Sequence, residues 1–478
     1  VSVWWLVLGA TALILLGVLW FRLHALLVLL AAALLVAVLT PQAELQSYVS
    51  GQVAQGRMGE AAATSLINTS APRRLATAFG QTAGEVGILI AMASIVGICL
   101  MESGAAHGIV TAMLRISGVK RAPEGLALSS FLLSIPVFFD TVFYLMVPLA
   151  RTLRRRTGKD YVLYILAIMA GGSIAHSLVP PTPGPLQVAE ILGIDVFTMM
   201  VAGLVIGSMS SLLSLGVARA LNRFTVVPLR SLGEDNEAAV ADETLRGSDE
   251  PATHPPLLFS LLPILLPVVL IGYGAIDGVL QFPVPDWARA LTDLASDKNI
   301  ALGIAAALSL QLLRYAPPGH DRAGVVSRAL ASGGQIILIT SAGGALGAML
   351  RQAGIASAVS ELASDVPSSL LLVVVFIVTA SIRTLQGSAT VAMITAAGVL
   401  QGLADVTTLP FHPVYVAMAI GVGSKPISWM TDSGFWIMCK MSGMTDREGL
   451  RTVSALSLAM GICGLFVTLL CATIFPAI

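Results

Sequence analysis

Charge is what this sequence has least of. Only 11% of its 478 residues are charged and 56% are hydrophobic, whereas an ordinary soluble domain carries about a quarter charged residues. Such a chain lacks the polar residues to face water on all sides, so the composition points to a lipid bilayer. Positive and negative residues cancel to a net charge of zero, and no nucleic-acid or acidic partner is expected. Cysteine is scarce as well. The four present (Cys99, Cys439, Cys463, Cys471) lie in apolar segments without metal-ligand spacing and read as packing residues. No HExxH, GxSxG or carboxylate-rich metal motif is found, so an enzyme is disfavoured and neither cofactor nor metal is expected. No A-x-A-like cleavage site precedes the second apolar run, Ala25–Leu39, so the first run, Val3–Trp20, is read as a span and not as a signal peptide.

What the sequence does have is a series of apolar runs, about long enough to cross a bilayer, from Trp4 to Ile474. One polar, charged stretch interrupts them, RSLGEDNEAAVADETLRGSDEPATHPP at 230–256, which reads as a cytoplasmic linker. The flanking halves, 1–229 and 257–478, resemble each other at an offset near 250. Thr82-Ala-Gly-Glu-Val matches Ser332-Gly-Gly-Gln-Ile, and Gly97, Leu100 and Gly104 match Gly347, Leu350 and Gly354. Ser134-Ile135 matches Ser381-Ile382, and Gly184 and Gly193 match Gly434 and Gly443. Several matches in the same order imply an internal repeat, a mark of secondary transporters.

Charge placement then orients the halves. Arg151, Arg154, Arg155, Arg156 and Lys159 form the most basic segment, and Arg115, Lys120 and Arg121 precede the stretch before it. With both flanks cytoplasmic, 126–150 enters and returns as a re-entrant hairpin with its tip near Pro136–Thr141. Its counterpart, 368–400, has no basic flank and reads as a hairpin from outside. The remaining spans are placed at about 3–21, 25–40, 85–102, 161–192 and 197–219, then 257–276, 299–314, 329–350, 410–442 and 452–474. The predicted fold is an all-α polytopic membrane protein of two inverted repeats, each with five transmembrane spans plus one re-entrant hairpin. Five is odd, so the second repeat is inverted, and broken helices are expected at the midplane.

Four segments carry residues that a lipid-facing helix does not tolerate; such breaks survive only in protein or beside a wet cavity. In the first hairpin tip, Asp140 binds a cation, takes up a proton or pairs with a base; the plainer reading is a cap with Thr141. In His176-Ser-Leu-Val-Pro-Pro-Thr182-Pro-Gly184-Pro185, clustered prolines end a helix. A half-helix starting near Leu186 would offer N–H groups to an anion, unless the segment is a simple loop. His176 is either a proton site or a satisfied buried histidine. In the second hairpin, Arg383 at the bilayer centre costs roughly 2.5–3.5 kcal/mol. It therefore has a purpose: an anion-binding fork or an ion pair with Asp432 or Asp140. In Gly423-Ser424-Lys425-Pro426-Ile-Ser428-Trp-Met-Thr431-Asp432-Ser433, Lys425 is an anion contact or a side chain snorkelling to an interface. Glu102 and Gln352, paired by the repeat, read as structural.

VPPTPGP (179–185), RTLQGSATVAMITAAG (383–398) and TDSGFW (431–436) resemble, in order and spacing across nearly the whole chain, the gluconate permease (GntP) family of the ion transporter superfamily. That resemblance implies import of gluconate or a related sugar or hydroxy acid by proton symport. It also implies inverted repeats, two hairpins, two broken helices, a dimer and elevator-like movement. Thr182 and Thr431 depart from the family's usual PPHPGP and NDSGFW. The expectation is a multi-pass inner-membrane transporter whose partners are a small organic anion, the bilayer and a second copy of the chain. Arg383, Lys425, Ser388, Thr390, Thr182, Gly184, Ser433 and Asp432 are the candidate substrate contacts, and Asp140, Asp432 and His176 the candidate proton carriers. Sodium coupling, as symport or antiport, is the alternative.

Overall fold

The computed structural model describes residues 3–21, 23–54, 58–230, 255–280, 285–316, 322–355, 368–404, 409–429 and 432–476. Regular structure among them is helical, without strands. The first half comprises α1 (Val3–Leu15), α2 (Ala25–Leu39), α3 (Gln42–Ala54), α4 (Glu60–Asn68), α5 (Ala71–Glu102), α6 (Ala105–Ser117), α7 (Ala122–Leu133), α8 (Phe139–Thr157), α9 (Tyr161–Leu178), α10 (Pro183–Leu192) and α11 (Val196–Phe224). After the linker come α12 (Leu257–Leu280), α13 (Asp286–Ser296), α14 (Lys298–Leu312), α15 (Arg322–Gln352), α16 (Ser368–Gln386), α17 (Ala389–Ala404), α18 (Val414–Gly423), α19 (Ser433–Ser442) and α20 (Asp446–Ile474).

Six stretches are long and apolar enough to cross a membrane: α5, α9–α10, α11, α12, α15 and α20. A seventh is the pair α2–α3, bent by 96°. The remaining apolar helices, in α1, α16, α17 and α18, are shorter, so the ten-span count relies on pieces that do not qualify singly. Four helices were absent from the span scheme: α3, α4, α6 and α13. The span expected at 85–102 begins earlier, at Ala71, with Pro72 in its first turn, where a missing N–H costs nothing.

Helix breaks occur within both segments expected as hairpins and within both spans expected to be interrupted. The first hairpin is α7 and α8 around Ser134–Phe138, and the second is α16 and α17 around Gly387–Ser388. Helix α9 stops at Leu178 and α10 starts at Pro183; α18 stops at Gly423 and α19 starts at Ser433. Gly193 and Gly443, the repeat pair at offset 250, end α10 and α19 alike with φ of +67° and +65°, a left-handed stop that favours glycine. The order long helix, hairpin, broken helix, long helix thus occurs in α5–α11 and again in α15–α20.

Helices α5 and α15 run antiparallel along their lengths. Arg74, near the start of α5, donates to Gln352 at the end of α15 at 2.6 Å, while Arg328, near the start of α15, donates to Glu102 at the end of α5 at 3.1 Å. Between these pairs Gly344 faces Thr82 and Gly333 faces Ser94. The structural role expected of Glu102 and Gln352 is this reciprocal stapling. Helix α9 forms the axis of the other group, almost wholly buried. A Cβ on Gly171 would lie 1.9 Å from the Ala127 carbonyl of α7. On Gly203 of α11 it would lie 2.2 Å from the Leu178 carbonyl. Such small-residue contacts suit a bilayer, where close packing replaces the hydrophobic drive between helices.

Candidate functional site

A cavity of about 210 Å³ opens where both hairpin tips meet α9, the α18–α19 break and α20. One water needs roughly 10–15 Å³, so a multi-atom solute fits. Its polar lining includes Asp140, Ser173, His176, Arg383, Ser388, Thr390, Lys425, Ser428, Asp432 and Ser457.

Arg383 is 5% exposed. Its Nη2 meets Asp432 Oδ2 at 2.5 Å and its Nε donates to the Ser424 carbonyl at 3.0 Å. The structural ion pair with Asp432 is therefore real. It leaves Nη1 buried with no hydrogen-bond partner among the described residues, on a side chain that lines the cavity. The ion pair thus leaves part of the guanidinium's donor capacity unused among the described residues. Asp432 is also the N-cap of α19, accepting from Gly434 N at 2.9 Å and from the Ser428 hydroxyl, so most of its capacity to accept is used internally.

Lys425 does not snorkel. It is 7% exposed and its Nζ donates to Ser173 of α9, to the carbonyl at 2.8 Å and to Oγ at 3.1 Å. Asp140 sits in the first turn of α8, but the N-cap is Phe138 and no side-chain cap bond forms. The capping role for Asp140 is corrected accordingly: its carboxylate lines the cavity and approaches Gly434, whose Cβ, were there one, would lie 3.7 Å from Oδ1. His176 packs edge-on against Phe138 at 5.7 Å, with Nδ1 buried and unpartnered among the described residues. Ser388 accepts from Val391 N at 3.4 Å at the start of α17, after Gly387 with φ of +82°.

Two expected contacts lie elsewhere. Thr182 is buried, with its hydroxyl turned back to the Val179 carbonyl at 2.7 Å. It borders a separate small space beside Ser94 and Pro136. Gly184 packs on Met393 of α17, 3.1 Å from Sδ to a hypothetical Cβ. The α10 start does not line the main cavity. Its first and third residues, Pro183 and Pro185, have no N–H to offer, which weakens it as an anion cradle. Thr431 and the Ser433 side chain lie outside the described residues.

Ser173 and Ser457 went unnoticed in the sequence. Ser457, on α20, accepts from Ser428 N at 2.9 Å and donates to the Lys425 carbonyl, and Ser454 donates to the Ser428 carbonyl. Both follow or end a π turn at Leu450–Ser454, a feature common at functional sites. The only sequence signal was a hydroxyl within an otherwise apolar span.

Apolar crossing helices around a buried polar cavity, with helix interruptions at its wall, define a multi-pass membrane transporter. The chain matches the family model described as GntP family permease over residues 1–474, and it belongs to that family. It is a permease and not an enzyme. It is 32% identical to an uncharacterized permease of Haemophilus influenzae over 82% of this chain and 81% of that one. It is 30% identical to a gluconate permease of Pseudomonas aeruginosa, covering 82% and 85%. It is 29% identical to the inner membrane permease YgbN of Escherichia coli, covering 81% and 86%. Among solved structures it is similar to the Alcanivorax borkumensis YdaH transporter, with a TM-score of 0.58 and 16% identity over 87% of this chain and 89% of that one, a likeness of fold.

Proposed function

We propose that this permease imports a gluconate-like sugar acid or hydroxy acid by proton symport across the inner membrane. The observation that carries the reading is the buried cavity whose lining brings Arg383 and Lys425 to one space large enough for a small polyhydroxy anion. Relatives named gluconate permease and inner membrane permease support the substrate and the location. The carboxylate lies against Arg383 and Lys425, and the hydroxyls find Ser388 and Thr390. Asp140 and His176 are the groups first considered for the coupling proton, since Asp432 is taken up by Arg383 and the α19 cap.

The mechanism is alternating access by inverted repeats acting as a dimer, with an elevator-like displacement of the cavity-bearing helices. Three reciprocal features support the inversion. The α5 and α15 helices are antiparallel, and the Arg74–Gln352 and Arg328–Glu102 pairs mirror one another. Gly184 meets the second hairpin as Gly434 meets the first. Arg383→Ala, correctly folded in proteoliposomes, is expected to cut gluconate uptake by roughly a hundredfold, the loss of one buried charged contact. Substantial residual uptake would reject the site. Uptake driven by sodium alone would replace the proton with sodium and leave the site standing.

A further inference from the structure

The two cavity cations are held in different ways. Arg383 is locked by Asp432 and Ser424, and a guanidinium keeps its proton in proteins. Lys425 has no carboxylate within 4.0 Å among the described residues; its ammonium donates only to the two neutral oxygens of Ser173. The other titratable or charged groups lining its cavity are Asp140 from α8, His176 from α9, Arg383 from α16 and Asp432 from the break, while the residues contributed by α17 and α20 are uncharged.

Ser173 suits either protonation state of that amine. With three protons, Lys425 donates to the Ser173 carbonyl and hydroxyl and has one N–H left for the cavity. With two, it donates to the carbonyl and accepts from the hydroxyl, which turns its hydrogen around. No ion pair offers this tolerance. Charge adds an order of events. With Lys425 protonated, Arg383, Lys425, Asp140 and Asp432 balance to zero. With it neutral, the cavity carries one net negative charge and repels a carboxylate.

Resting on the proton-symport reading above, we propose that Lys425 is the coupling residue: its amine takes up the proton, and the resulting ammonium holds the substrate carboxylate. An N–H bond forms from the amine lone pair and a proton of the loading side. After the substrate departs, that same proton leaves to water on the other side. The Asp140 carboxylate supplies the negative charge that sets this order.

The test uses the full chain in proteoliposomes with labelled gluconate and a lumenal pH dye. Wild-type protein is expected to carry protons with substrate. Lys425→Arg, permanently charged, is expected to lose proton co-uptake by roughly tenfold or more, and its remaining counterflow is expected to stop varying with pH. Proton co-uptake by Lys425→Arg at the wild-type ratio would overturn the proposal. If Lys425→Arg fails to insert, Ser173→Ala decides: a shifted pH profile of counterflow supports the proposal, and an unchanged one overturns it. Wild-type protein that transports no gluconate under any gradient would instead remove the function on which the proposal rests.

Discussion

Arg383 and Asp432 meet at 2.5 Å with side chains 6% and 11% exposed, so neither charge can be removed without stranding the other. A buried pair of this kind adds little over an apolar substitute, but breaking it is costly. Asp432→Ala is expected to destabilise the protein by about 3 kcal/mol or more, read as lower thermal stability in detergent. An unchanged unfolding temperature would mean that the pair is solvated. Arg383→Lys should fare poorly too. A compact ammonium cannot span the two positions from which Nη2 and Nε reach Asp432 and Ser424, so uptake should fall by roughly tenfold or more. Uptake near the wild-type rate would show that charge alone suffices and that the planar fork is irrelevant.

At the scale of elements, the two interrupted helices are held differently. The first break lies against α11 at van der Waals contact, through Gly203 on the Leu178 carbonyl. The second packs on α20 through Gly461, whose Cβ, were there one, would lie 2.5 Å from Pro426 Cγ, and is also bonded to it by serines: Ser457 bonds Ser428 N and the Lys425 carbonyl, and Ser454 bonds the Ser428 carbonyl. The serine contacts set the backbone of residues that line the cavity. Ser457→Ala would leave a buried N–H and carbonyl unpaired, at about 1–3 kcal/mol. It is expected to raise KM for substrate more than it lowers kcat, with Ser457→Thr restoring KM. A fall in kcat at constant KM would contradict a positioning role. Gly171→Ala would force α9 from α7 and is expected to cost about 1–3 kcal/mol by overpacking, visible as lower thermal stability while Ala127→Gly remains mild.

Across the whole molecule, the parts legible in the sequence are those where local chemistry conflicts with lipid. The prolines of 180–185, the Arg383 charge and the Lys425–Asp432 run each marked an interruption, because a bilayer forbids them on an ordinary helix face. The break in 126–150 was expected from its basic flanks, and the break in 368–400 from its place in the repeat. What could not be read is which interruption faces the cavity. That depends on how closely α11 and α20 approach the two breaks, and Gly203 or Ser457 alone does not reveal the distance. The helices α3, α4, α6 and α13 were missed because they are short, and three of them, α3, α4 and α13, carry too little apolar surface to register as spans. The Ser173 contact escaped for the same reason as Ser457, since a serine in a buried helix usually bonds its own backbone.

The central claim, that this permease couples a proton to a sugar acid, is tested most directly by uptake of labelled gluconate into proteoliposomes with an inward proton gradient and no sodium. Accumulation against the gluconate gradient that collapses with a protonophore is the result expected. Absence of accumulation by folded protein, or accumulation indifferent to the protonophore, would contradict it.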